Sequence, residues 1–254
     1  MTPTFYTTFV ISPTKTIMDN FYEKAYSKGF PLSVESLTNY GLLGTYLNVK
    51  PSDICLDVGC GSGAFVKEIK KTCRCFGIDL SIYGLLQTLS SGLLQADVET
   101  MPFKNEVFSK IIFSRSFSKL NPIKTLMEVD RCLQKPGKVI IFEYESPIYW
   151  DLVIKEVWQK YSGSIREPKS MQNITNDLIQ VGFYPDDCQR FIDNITYPSH
   201  DALINRFLYY SPLQHLFNNH NEKELKNLIR HVVDEVYGPS LTTIIEWFVY
   251  TGNK

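Results

Sequence analysis

The amino-acid sequence predicts an α/β fold built on a doubly wound, mostly parallel sheet. Three observations support this fold class: short apolar runs alternate with helical patterns from residue 53 onward, a glycine-rich turn follows the first run, and an aspartate follows each of the next two runs. Because 254 residues can bury a substantial core as one unit, we expect a single domain over residues 1–254.

The predicted strands are apolar runs bounded by turn residues. Seven are expected, at residues 54–58, 75–78, 93–96, 110–113, 138–143, 190–195 and 243–250. The first five alternate regularly with helices, whereas the later part of the chain is less regular. This pattern predicts a Rossmann-like sheet of seven strands.

Helical periodicity fills the intervals between the early strands. Phe65, Ile69 and Cys73 share one face of the first helix. Ser81 is placed to cap a second helix, which is expected to run to about Leu89.

A third helix is expected to begin at an Asn121 N-cap, with Pro122 in the first helical position. Its apolar positions run from Ile123 to Leu133, and Pro136-Gly137 is expected to stop it.

Further helices are predicted on both sides of these repeats. Two precede the sheet, at residues 17–26 and 33–47, and one covers residues 174–181. Residues 198–238 are predicted to be mostly helical and to form an insertion before the last strand. Within it, Asn221–Glu224 resembles a capping box that opens the final helix.

Composition disfavours several classes of function. The net charge is −1, so no global field attracts a polyanion, and we expect no nucleic-acid partner. The six cysteines show no CxxC pair or zinc-ligand spacing, which predicts free thiols, no metal site and a reducing compartment. No stretch reaches 18 apolar residues and no leader pattern opens the chain, so we expect a cytoplasmic protein without stable membrane insertion.

The glycine-rich turn suggests a ligand site. Gly59, Gly61 and Gly63 lie between a strand and a helix, and with Ala64 the run also fits a dinucleotide fingerprint. Asp57 distinguishes the two interpretations, because its carboxylate would repel a pyrophosphate but attract an ammonium and a sulfonium. A dinucleotide-dependent oxidoreductase therefore remains the weaker alternative.

Two more aspartates follow the second and third predicted strands. Asp79 can accept both hydroxyls of a ribose, and Asp97 can accept from an adenine amino group, with Val98 and Met101 packing near the ring. The carboxyl ends of parallel strands meet at one edge of a sheet, so we expect these groups to form one crevice with the glycine turn.

These residues carry a family resemblance. Residues 56–63 match the first signature motif of class I S-adenosylmethionine-dependent methyltransferases. Residues 96–103 and 129–142 resemble later motifs of the subgroup that contains ubiquinone- and sterol-type methyltransferases, with Lys138 where a second glycine is usual. The resemblance covers roughly residues 40–145.

The resemblance implies S-adenosyl-L-methionine as cofactor and a set of residues around it. The implied cofactor-binding residues are Asp57, Gly59, Cys60 and Gly61 at the methionine end, Asp79 and Leu80 at the ribose, Asp97 and Val98 at the adenine, and Ser114 beside the methyl group. It further implies an N-terminal helical cap (1–50), a cofactor-binding half (51–147) and a substrate half (148–254) with a lid at about 198–238.

The expected reaction is transfer of a methyl group to an O, N, S or C nucleophile of a small molecule by in-line displacement. A catalytic base is optional, so no catalytic residue is assigned. The alternative is a homologue that binds the cofactor without methyl transfer or uses it in other chemistry.

The acceptor is less defined by the sequence. Residues 113–118 lack the Asn/Asp-Pro-Pro-aromatic pattern of base-modifying enzymes. Aromatic side chains in the flanking elements are substrate candidates, with core packing as their alternative role, and these are Tyr22, Tyr26, Phe117, Phe207 and Tyr210.

Overall fold

The computed structural model describes residues 46–87, 91–144, 148–162, 173–208, 213 and 221–254. The strands in these ranges are β1 (Ile54–Val58), β2 (Arg74–Asp79), β3 (Leu93–Gln95), β4 (Phe108–Ser114), β5 (Leu133–Tyr144), β6 (Tyr184–Pro185), β7 (Gln189–Thr196) and β8 (Thr242–Asn253). The helices are α1 (Ala64–Ile69), α2 (Ile82–Leu86), α3 (Pro122–Cys132), α4 (Ile148–Ser162), α5 (Ile174–Val181), α6 (His200–Leu208) and α7 (Glu222–Tyr237).

All of these strands form one sheet in the order β3-β2-β1-β4-β5-β8-β6, with β7 also paired to β8. Strands β1 to β5 are parallel and β8 is antiparallel to β5, so the predicted mostly parallel α/β sheet is confirmed. Within the described residues the sheet has eight strands rather than the seven predicted. The extra strand is β6, whose Pro185 pairs with Gly252 while Gln189 of β7 pairs with Val249. Strands β6 and β7 therefore share one side of β8, and a two-residue strand carries no periodicity that a sequence pattern can reveal.

The central strands are buried because helices cover both faces of the sheet. On one face, α1 packs on alternate residues of the strands, such as Ile112 and Ile140. On the other face, α3 and α5 pack on the intervening residues, such as Ile111 and Ile141. This two-sided covering is what the regular alternation of strands and helices predicts.

A third apolar cluster lies against the C-terminal part of β7 and the N-terminal part of β8. Helices α4, α6 and α7 contribute to it together with Ile245 and Trp247 of β8. The predicted helical region 198–238 is thus confirmed in its described parts, and Asn221 caps α7 by accepting from Lys223 N at 3.0 Å. Helix α4 is not among the predicted helices, although its buried positions have helical spacing: Trp150, Val153, Ile154 and Val157.

The element boundaries need three corrections. Helix α1 ends at Ile69, so Cys73 lies in the turn before β2, and α2 ends at Leu86. Helix α3 ends at Cys132, and Leu133 already pairs with Phe108 of β4. Strand pairing therefore ends this helix before Pro136-Gly137, which lies within β5.

Other local predictions are confirmed. Ser81 Oγ accepts from Gly84 N at 3.1 Å, and Asn121 Oδ1 accepts from Lys124 N at 3.2 Å. Helix α5 covers Ile174–Val181 as expected. The predicted helix at 17–26 and all but the end of that at 33–47 lie outside the described residues.

We predict that Gly77→Ala destabilises the protein by about 1–3 kcal/mol because it overfills a packed interior. A Cβ at Gly77 of β2 would lie 2.7 Å from Cys60 Sγ and 2.9 Å from side-chain carbons of Val66 and Leu93. Urea denaturation measures the loss. Cys60→Ala removes the nearest of these atoms, so the double variant should recover part of the stability. Equal losses with and without the sulfur would show that the Cys60 contact is not the cause.

Candidate functional site

The carboxyl ends of the parallel strands bring the predicted site residues to one edge of the sheet. Val58, the last residue of β1, is in register with Ile78 of β2 and Phe113 of β4. Asp79 at the end of β2 is in register with Gln95 of β3. The segments that follow β1, β2, β3 and β4 therefore leave the sheet side by side.

The glycine turn after β1 has a backbone that other residues rarely adopt. Gly59, Gly61 and Gly63 have φ values of 71°, 55° and 76°, all in the left-handed region. Two successive amides of the turn, those of Gly59 and Cys60, donate to the carbonyl oxygen of Ile78 at 2.8 and 3.0 Å. The turn is thus folded back onto the end of β2.

The Asp79 carboxylate holds this turn from the side. Its Oδ2 accepts from Gly61 N at 2.7 Å, and its Oδ1 accepts from Ser81 N at 2.8 Å. Asp79 therefore joins the glycine turn to the start of α2, a structural role that the sequence analysis did not foresee. A carboxylate oxygen can accept more than one hydrogen bond, so these contacts do not exclude ribose hydroxyls.

Asp57 is the most unusual charged group at this edge. Its side chain is 1% exposed, and its Oδ1 has no hydrogen-bond partner within the described part of the chain. Burial, together with the negative charge of Asp79, raises the pKa of Asp57 to about 8. A buried carboxylate of this kind is stabilised in its charged form by a cation placed next to it.

The remaining predicted cofactor residues lie at or just beyond the carboxyl ends of β1 to β4. Asp97 Oδ1 accepts from Glu99 N at 2.9 Å and so caps a short 3₁₀ turn that contains Val98. Leu80 is 40% exposed directly after β2, and Ser114 ends β4. Burial, followed by the charge of Asp57, raises the pKa of the Cys60 thiol, which keeps it protonated.

Two further residues at this edge escaped the sequence analysis. Ser116 Oγ donates to the carbonyl oxygen of Val58 at 2.5 Å, and a Cβ on Gly59 would lie 2.5 Å from Ser116 Cβ. Glu143, near the end of β5, is 8% exposed and accepts from Ser118 N at 3.0 Å. A lone acid at the end of an apolar strand is the signal that could have identified Glu143.

The described substrate candidates are buried in apolar clusters. Phe117 is 0% exposed and packs against Phe113, and Phe207 is 1% exposed and packs against Trp150. Core packing, the alternative role given for these aromatics, is what the structure shows for both side chains. Tyr22, Tyr26 and Tyr210 lie outside the described residues.

Comparison with known proteins agrees with this architecture. Residues 56–141 match the family model described as a methyltransferase domain. A solved structure from Bacillus halodurans, described as a candidate methyltransferase, has a TM-score of 0.59 at 17% identity and covers 85% of this chain and 99% of its own. The likeness to this structure shows the fold.

Curated relatives match a part of the chain. An uncharacterized protein of Methanocaldococcus jannaschii is 29% identical over 133 residues, which are 48% of this chain and 58% of that protein. A 2-phytyl-1,4-naphtoquinone methyltransferase of Trichormus variabilis is 25% identical over 118 residues, which are 40% of this chain and 51% of that enzyme. The chain thus spans about half the length of the curated relatives it matches.

The fold and the residues at the carboxyl edge define a Rossmann-like protein. Over residues 56–141 the chain is similar to the methyltransferase-domain family. The cofactor of this family is S-adenosylmethionine. Within the described ranges, no helix is long and apolar enough to cross a membrane.

The residues at the crevice fit this cofactor. S-adenosylmethionine carries an ammonium and a sulfonium, and the buried Asp57 has an oxygen without a partner among the described residues. The ribose hydroxyls and the adenine amino group of the cofactor are hydrogen-bond donors. Asp79 and Asp97 supply acceptors for them at the ends of the next two strands.

We predict that the cofactor-free protein loses stability as the pH rises from about 4 to 8, through the titration of Asp57. The folded protein holds a proton up to a pKa of about 8, whereas the unfolded chain releases it near 3.8, so the folded state binds more protons in this window. One such proton gives a slope of at most ~1.4 kcal/mol per pH unit. Asp57→Asn should remove this part of the slope in urea denaturation across the window.

Asp53→Asn is the matched control for Asp57→Asn, because it lies just before the same strand. Burial raises the pKa of Asp53, but hydrogen bonds from Lys110, Lys50 and Ser109 bring it below 3.8. The Asp53 variant should therefore keep the slope between pH 5 and 8. An Asp57 variant with the wild-type slope would mean that this carboxylate ionises normally.

Proposed function

We propose that the protein binds S-adenosylmethionine at the carboxyl edge of β1 to β4 and transfers its methyl group to an O, N, S or C nucleophile of a small molecule. The observation that carries this proposal is the buried Asp57 carboxylate, which has an oxygen without a partner in the described structure, next to a glycine turn in left-handed conformation. When bound, the cofactor supplies a carbon that its sulfonium already activates for in-line displacement.

Each site residue has a role in this proposal. Asp57 balances the positive charges of the methionine end, and Gly59, Cys60 and Gly61 allow the backbone to approach it closely. Asp79, beside Leu80, accepts from the ribose hydroxyls.

The far end of the cofactor is assigned to the next strands. Asp97 accepts from the adenine amino group while Val98 packs on the ring. Ser114, at the end of β4, lies on the side from which the acceptor approaches. The chain's contribution to the rate is then mainly orientation and exclusion of water, and orientation alone supplies ~7–11 kcal/mol in well-aligned reactions.

Electrostatics favour this cofactor over a dinucleotide. A pyrophosphate at the glycine turn would place two negative charges near Asp57 and Asp79, which already repel each other, since the charge of Asp79 contributes to the raised pKa of Asp57. A sulfonium and an ammonium reverse the sign of that interaction. The oxidoreductase alternative therefore lacks support from the site.

The topology of the far strands supports a substrate half. Tyr144, the last residue of β5, pairs with Trp247, so Thr242–Glu246 of β8 run beyond the carboxyl end of β5. At ~3.3 Å per residue this five-residue extension spans roughly 16 Å. Helices α4, α6 and α7 pack on this part of β8, which supports the proposed lid at about 198–238 for the described residues of α6 and α7.

Three observations support a small molecule as acceptor. The net charge is −1, and residues 113–118 lack the motif of nucleobase methylation. One curated relative is a methyltransferase for 2-phytyl-1,4-naphtoquinone, which is a small molecule. The subgroup of ubiquinone- and sterol-type enzymes, a cytoplasmic location and the absence of a nucleic-acid partner are part of the same proposal.

Calorimetry and mass spectrometry test the proposed function. The protein should bind S-adenosylmethionine and S-adenosylhomocysteine, with no heat of binding from NAD. Incubation of the protein and methyl-deuterated S-adenosylmethionine with a metabolite extract should yield a product that carries the label. Binding without a labelled product across chemically diverse extracts would instead favour the homologue that binds the cofactor without transfer, and a preference for NAD would contradict the assignment of the site.

We predict that Asp79→Ala weakens S-adenosylhomocysteine binding about 100-fold, since each charge-assisted hydrogen bond contributes ~1.5–3 kcal/mol. Asp151→Ala, at an exposed position of α4, is the control and should leave the affinity unchanged. Asp79 also accepts hydrogen bonds from two backbone amides, so its truncation to alanine removes structural contacts as well. Asp79→Asn is therefore a second variant, equal in size to aspartate, and circular dichroism verifies that both variants fold. Unchanged affinity in a folded Asp79 variant would show that the end of β2 does not border the cofactor.

A further inference from the structure

Glu143 is a second buried carboxylate at the carboxyl edge, and the proposed cofactor contacts do not use it. It is the penultimate residue of β5 and lies just beyond the segment 56–141 that matches the methyltransferase domain. In the sheet it is paired with the apolar Phe248 of β8. An acid in this position is unfavourable unless polar groups compensate its burial.

The compensation comes from the turn that follows β4. Glu143 Oε1 accepts from Ser118 N at 3.0 Å. Burial raises the pKa of Glu143, while hydrogen bonds from Ser118 and the positive charges of Lys119 and Arg115 act in the opposite direction. The carboxylate is therefore directed at residues 115–119, which we call the β4 exit turn.

The β4 exit turn begins in an unfavourable conformation. Arg115 has a φ of 60°, a left-handed value that costs free energy for any residue other than glycine. The first half of the turn is held by Arg115 N, which donates to Phe142 O at 2.9 Å, and by Ser116 Oγ, which donates to Val58 O. Glu143 holds the second half through Ser118.

The position of this turn gives it a function. Ser116 lies directly against Gly59, so the β4 exit turn borders the glycine turn. If the proposed function is right, the acceptor approaches the methyl group from the end of β4, and the β4 exit turn forms the acceptor side of the site. We propose that Glu143 is a positioning residue that holds this side in place through the Ser118 amide, without touching the acceptor.

Hydrogen exchange of the Ser118 amide tests this role in the whole protein, with and without S-adenosylhomocysteine. Glu143→Ala should speed exchange at Ser118 about tenfold, the size expected for losing a hydrogen bond to a charged group. Glu143→Gln should restore protection, because its amide oxygen can accept from the same N–H. Exchange in β1 and β2 should not change in either variant.

Glu128→Ala is the matched control, because Glu128 Oε2 accepts from a backbone amide of a neighbouring segment, Met101 N, at 2.8 Å. It should speed exchange at Met101 and leave Ser118 unchanged. Unaltered exchange at Ser118 in Glu143→Ala would overturn the proposal, as would equally faster exchange throughout the sheet, which would indicate a general loss of stability.

A transfer assay separates positioning from chemistry. With methyl-deuterated S-adenosylmethionine and a metabolite extract, Glu143→Ala should lower label transfer about tenfold at unchanged S-adenosylhomocysteine affinity, and Glu143→Gln should recover it. A Gln variant that keeps the Ser118 amide protected but loses transfer would overturn the proposal, because the carboxylate itself would then be required. Failure of the wild-type protein to transfer label would contradict the proposed function, while hydrogen exchange would still decide the role of Glu143.

Discussion

The site depends on the way the glycine turn closes onto β2. Two of its amides converge on the carbonyl oxygen of Ile78, and a third binds the Asp79 carboxylate. These contacts require left-handed backbone angles, which explains why glycine occupies three alternate positions. Once the turn is fixed in this way, β1, β2 and α2 become one rigid support, and Gly59 presents the surface against which Ser116 packs. The same few hydrogen bonds therefore fix the glycine turn and the position of Ser116 beside it.

The electrostatics of the crevice show a conflict between stability and binding. Asp57 is buried, faces the charge of Asp79 and has an oxygen without a partner among the described residues. A neutral residue there would be easier to bury. The Asp57 carboxylate lowers the stability of the cofactor-free protein at high pH, and a cation bound beside it would stabilise its charged form.

The first half of the fold could be predicted because its signals are local. Apolar runs in the sequence predict β1 to β5. Ser81 and Asn121 determine where helices begin, because their side chains accept hydrogen bonds from backbone amides three residues later. Element ends depended instead on tertiary contacts. Leu133 fits the helical pattern of α3 but pairs with Phe108 in the sheet, so the helix ends before it. Strand β6 forms because its two residues pair with the edge of β8.

The candidate site divides in the same way. Asp57, Asp79 and Asp97 were identifiable because strand ends and glycine turns have fixed relations in sequence. Glu143 and Ser116 gained their roles through contacts with residues 25 and 58 positions away, respectively, which no pattern along the chain encodes. The double role of Asp79 was hidden for a related reason, since the sequence places a carboxylate at a strand end without showing which amides it faces.

The position of β8 has a consequence for how the protein is made. It follows all the other strands in sequence, yet it lies inside the sheet, between β5 and the pair formed by β6 and β7. During synthesis, β1 to β5 emerge first and can pair in parallel, but the outer edge of β5 stays open until β8 leaves the ribosome. Because an open strand edge is a template for unwanted pairing, the growing chain is exposed to aggregation during that interval. Loss of residues 242–253 would prolong that exposed state indefinitely, with β5 left as an outer strand.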